Sequence, residues 1–209
     1  IEAKTVSVDS FCAKTPAGNK NTLTLEYYWG TENLIISSIY QGEITQRKIT
    51  SVEDWDPKIT WLRNWLSTGA GDMQKASQIS YSIYEAFIKP DVEAAEKLHP
   101  IERLIIIPDG QLRTIPFEVL LSEPIDSKLA TTPGKWPYLL HKYAISYGFS
   151  ATMLVNNYQK KSHFPNSETH PFIAFSPSFT TPPPSIHLFN ANNLAPVPAS
   201  KKMLDALEQ

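Results

Sequence analysis

The 209 residues contain one cysteine, Cys12, so no disulfide can form within the chain and no multi-cysteine metal site can be built. Glycine is scarce, with 8 residues against 17 prolines, which points to many loops of fixed geometry and few flexible ones. No apolar run approaches the roughly 18 residues that a bilayer-spanning helix needs. Neither sign of charge dominates: 19 basic and 21 acidic residues leave a formal net charge of −2. That balance gives no electrostatic case for nucleic acid or an anionic membrane as a partner. The usual motifs for cradled phosphates, zinc-dependent hydrolysis and serine nucleophiles (GxxxxGK[ST], GxGxxG, HExxH, GxSxG) are also missing.

Hydrophobic residues make up 42% of the chain, enough for a sizeable core. The most structured-looking stretch runs from Arg103 to Leu121. Leu104, Ile105, Ile106 and Ile107 form an unbroken aliphatic run, the pattern of a strand buried on both faces. Pro108, Asp109 and Gly110 end it: proline fixes φ, aspartate bonds nearby backbone, and glycine accepts positive φ. From Leu112 to Ile115 the pattern reads as a short extended piece. Pro116 then suits the first turn of a helix, with Phe117, Val119, Leu120 and Leu121 on its apolar side.

Before this stretch, Thr5 to Val8 alternates and reads as a strand or a linker. Thr22–Tyr28, Leu34–Tyr40 and Glu43–Ile49 read as three strands of a meander, separated by turns at Trp29–Asn33 and Gln41–Gly42. Asp56 is a good N-cap with Pro57 behind it, and Ile59, Leu62, Trp65 and Leu66 recur at helical spacing. A second helix is expected from Met73 to Ile88 with Ala76, Ile79, Ile83, Tyr84 and Phe87 inward and Lys89–Pro90 ending it. A short acidic helix follows over Val92–Leu98.

After the central stretch, Ser122–Trp136 is expected to be a long polar loop, either functional or mobile. Tyr138–His141 fits a strand or a helical turn. Lys142–Tyr147 alternates like a strand, and Ser150 is a fair cap for a helix from Ala151 to Tyr158. Phe172–Phe175 reads as a further buried strand, and Ser200 as the cap of a last helix.

The Pro108-Asp109-Gly110 turn, Leu112, and the Pro116-Phe117 step resemble the signature of CHAT domains, caspase-like domains often found after tetratricopeptide repeats. A second block agrees in order and spacing: Tyr138-Leu139-Leu140, then Tyr143-Ala144-Ile145-Ser146-Tyr147, then Ser150-Ala151. Weaker similarity extends from about Thr22 to the end. The resemblance implies an α/β fold, with a mixed sheet and flanking helices forming a pseudo-caspase-like layer. To this it adds the first strand and helix of a truncated caspase-like unit. Residues 1–160 would be the non-catalytic amino-terminal half, and 161–209 a linker and the start of that unit.

Caspase-like peptidases use a His beside a Cys thiol that attacks the peptide carbonyl. The resemblance implies a His-Gly pair after the third core strand and a Cys after the fourth. Neither is found here: no His is followed by Gly, and Cys12 precedes every matched block. No catalytic, metal-binding or cofactor-binding residue is therefore assigned. His163 and His170 flank a loop and read poorly as a metal pair. Asp109 and Glu118 could form an acid–base pair, but turn and helix duties explain them better.

The first residue is Ile1, so the chain is expected to be a piece of a longer protein. Its expected partners are proteins, namely upstream helical repeats and a missing catalytic half, in a reducing cytoplasm. Two other classes remain open. One is a self-contained interaction module using Ser122–Trp136 or Thr180–Pro198. The other is an unrelated enzyme with an unrecognised site.

Overall fold

In the computed structural model, residues 5–69 and 71–161 are described; side chains are described up to residue 159. All belong to one compact unit spanning Ile1–His163. The expected strand at Phe172–Phe175 and the helix capped by Ser200 lie outside the described residues.

Five strands form one mixed sheet among the described residues: β1 (Thr22–Trp29), β2 (Asn33–Tyr40), β3 (Glu43–Thr50), β4 (Arg103–Ile107) and β5 (Ala144–Tyr147), in the order β3-β2-β1-β4-β5. The meander β1–β2–β3 is antiparallel, with Tyr27 opposite Ile36 and Ser37 opposite Gln46. The β2–β3 connection is tight. Gln41 and Gly42 both take positive φ, which matches the twist of the strands they join. β4 then pairs parallel to β1, Leu23 beside Leu104, and β5 parallel to β4, Leu104 beside Ile145. The aliphatic run is thus interior, and Leu104 to Ile107 are buried on both faces, as expected of a strand covered on both sides.

Among the described residues six α-helices flank the sheet: α1 (Val8–Lys14), α2 (Asp56–Thr68), α3 (Met73–Phe87), α4 (Lys89–Glu96), α5 (Ser127–Ala130) and α6 (Ala151–Lys161). On one face Leu23, Leu25, Leu34, Ile36, Leu104 and Ile106 pack against α2, α3 and α4. The inward residues of α3 are the expected ones: Ala76, Ile79, Ile83, Tyr84 and Phe87 are all buried. On the other face Ile39 and Ile105 meet Phe11 of α1 and Val155 of α6. The result is a three-layer α/β arrangement.

Several expectations are corrected. The alternating segment near Thr5–Val8 runs into a helix: Ser7 Oγ accepts from Ser10 N–H, and Asp9 in the first turn suits the helix dipole. The N-cap of α2 is Trp55, with Asp56 inside its first turn. α3 ends at Phe87, just ahead of Lys89–Pro90 as expected, but those two residues also open α4, which therefore starts before the Val92 expected for the short acidic helix. Proline costs no hydrogen bond at a helix's first positions, and the chain turns sharply at Ile88 between α3 and α4. Leu112–Ile115 is not extended. Gly110–Thr114 is a 3-10 helix, and the helix expected from Pro116 is a single 3-10 turn, Phe117–Val119. Leu121 instead bridges to Tyr138 in the extended conformation.

The segment Ser122–Trp136 is not an open loop. Asp126 caps α5 by accepting from Leu129 N–H. Trp136 is buried, stacks on Trp65 with centroids 5.9 Å apart, and donates its indole N–H to Leu129 O. A small apolar cluster of Ala76, Leu121 and Trp136 sits beneath this segment.

Candidate functional site

β1, β4 and β5 run parallel, so their carboxyl ends lie side by side, the usual position of sites in open α/β sheets. The Pro108-Asp109-Gly110 turn follows β4 at this end, beside Trp29 at the end of β1 and Tyr147 at the end of β5.

Asp109 ties the strand ends together. Its Oδ2 accepts from the Trp29 backbone N–H at 3.0 Å, and its Oδ1 pairs with Arg113 Nη2 at 2.9 Å. Arg113 Nε also donates to Pro108 O at 3.1 Å, so the turn and the following 3-10 helix hold one another. Gly110 has φ 53°, the left-handed geometry expected of it, and lies directly on the Trp29 ring. Leu112 is fully buried in the main core.

Pro116 leads in with an extended backbone, and Phe117 is driven into the core. Its ring meets Tyr27 at 5.7 Å and Tyr147 edge-on at 6.2 Å. The Tyr147 hydroxyl accepts from Phe117 N–H at 2.7 Å and donates to Glu118 Oε2. Burial, reinforced by Glu118, pushes the Tyr147 phenol well above its ordinary range, so it stays a neutral donor. From α3, the Ser80 hydroxyl donates to Val119 O and accepts from Leu121 N–H, both at 3.1 Å. Ser150 caps α6, its Oγ accepting from Met153 N–H at 3.2 Å.

The structure brings Pro108, Asp109, Gly110, Leu112, Pro116 and Phe117 together around the end of β4. Glu118 and Asp109 do not face each other as an acid–base pair. Each is engaged with a different partner, Tyr147 and Trp29–Arg113 respectively. Sequence reasoning missed Trp29 and Arg113 as members of this assembly. Trp29 lies 80 residues from Asp109, and only the parallel β1–β4 pairing, with Leu23 beside Leu104, brings them together.

Cys12 is at the opposite end of the sheet. It shares an open cavity of about 590 Å³ with His99, Lys20, Gln41 and Gly42, at the turn of β2–β3 and the amino ends of β1 and β4. A cysteine and a histidine facing one cavity invite comparison with a catalytic dyad. The electrostatics oppose it: burial raises the thiol's pKa, Asp9 adds to the rise, and the Gly42 backbone hydrogen bond only partly offsets them. A nucleophilic thiol needs the reverse, a lowered pKa. No group of three or more metal-ligating side chains occurs among the described residues.

The mixed sheet with helices on both faces is an α/β layer consistent with a caspase-like layer. The CHAT domain family matches residues 78–209, the larger part of the sequence, and the chain belongs to that family. The match begins within α3 and includes the turn, Phe117, β5 and Ser150. No curated protein and no solved structure matches the chain. Among the described residues no helix is long and apolar enough to cross a membrane.

Proposed function

We propose that this chain serves as the non-catalytic amino-terminal layer of a CHAT-domain protein. Residues 1–160 buttress a caspase-like catalytic unit, and 161–209 lead into it. Its partners in this reading are that unit and helical repeats on its amino-terminal side, in the reducing cytoplasm. The full-length protein is a caspase-like cysteine peptidase or a relative adapted to signalling.

One observation carries this reading. Asp109, Glu118 and Tyr147, the polar groups at the strand ends, are committed to holding the fold. The one thiol, Cys12, lies at the other end with its pKa raised. The same 209 residues lack any His-Gly pair. A site that must attack a carbonyl needs an activated nucleophile within reach of a base. A fluorogenic peptide panel tests the reading: residues 1–209 and the Cys12→Ala variant should both sit at the buffer blank. Turnover by the native chain that disappears in Cys12→Ala would overturn it.

A further inference from the structure

We draw no further inference here: the strongest candidate, the open cavity of about 560 Å³ between the carboxyl end of α2 and the start of α3, carries nothing, because the unpartnered indole N–H of Trp65 in its wall is buried beyond an occupant's reach and nothing in the structure shows what would fill it.

Discussion

Gly110 lies so close to Trp29 that a Cβ at position 110 would stand 2.5 Å from Cγ of the indole. The left-handed φ of 53° adds a second, independent constraint on the same residue. The turn is thus locked by backbone geometry and by the end of a strand distant in sequence. Gly110→Val should cost about 1–3 kcal/mol for the backbone and about 1–3 kcal/mol more for the collision. Chemical denaturation of the two proteins measures the loss. If only the backbone matters, adding Trp29→Gly, which removes the Cβ, Cγ and Cδ1 that the new side chain would meet, will restore nothing. We expect the double variant to regain part of the loss, a positive coupling in a double-mutant cycle.

Asp109 should behave as a structural carboxylate. Asp109→Ala leaves the Trp29 N–H and Arg113 without their acceptor, at a cost of about 1–3 kcal/mol. Asp109→Asn keeps one amide oxygen for Trp29 and should lose less. Equal stabilities of the Ala and Asn variants would show that the Trp29 hydrogen bond contributes nothing.

What was readable in the sequence follows from range. The Leu104–Ile107 strand, the meander and the inward face of α3 were legible because period and propensity act over a few neighbouring residues. The left-handed Gly110 was legible for the same reason, as Pro-Asp-Gly allows few turns. The helix expected at Pro116 failed because its apolar residues serve different neighbours. Phe117 packs on Tyr27, while Leu121 pairs with Tyr138, and no single helix could satisfy both. The segment Ser122–Trp136 looked like an open loop because its anchor is one buried tryptophan whose partner, Trp65, is on α2. The roles of Trp29 and Arg113 at the site arise only from tertiary pairing, which no local pattern carries.

Arg47 and Asp91 form the ion pair that fastens α4 to the sheet. Arg47 Nε meets Asp91 Oδ2 at 2.7 Å, Ser38 Oγ donates to Asp91 Oδ1 at 3.0 Å, and Arg47 Nη1 donates to Ala86 O. The Asp91 side chain is only 7% exposed. Removing one member strands the other charge in a poorly solvated place, so Asp91→Ala should cost about 2–4 kcal/mol. Replacing both, as Arg47→Met with Asp91→Leu, should cost less than Asp91→Ala alone. Thermal melts of the single and double variants check this, and a double variant less stable than Asp91→Ala would contradict it.

The last expectation concerns alkaline pH. Tyr84 on α3 has its phenol pushed up to about 12 from 10.0, chiefly by burial, with Glu96, Glu93 and Tyr81 adding to the rise. Its neighbour Tyr143, which donates to Glu96 Oε1 at 3.1 Å, is pushed up further for the same leading reason. The folded state therefore holds these protons more tightly than the unfolded chain. Where the folded state binds more protons, stability falls as pH rises. The contribution of Tyr84 is fully present below pH 10 and is lost between about pH 10 and 12. The urea midpoint of the native chain should accordingly be insensitive to the tyrosines near neutral pH and drop through that window. Tyr84→Phe cannot ionise, so its midpoint should start lower, by the lost phenol contacts, and decline less steeply from pH 10 to 12. Parallel curves for the two proteins across that window would show that Tyr84 is not held neutral by the fold.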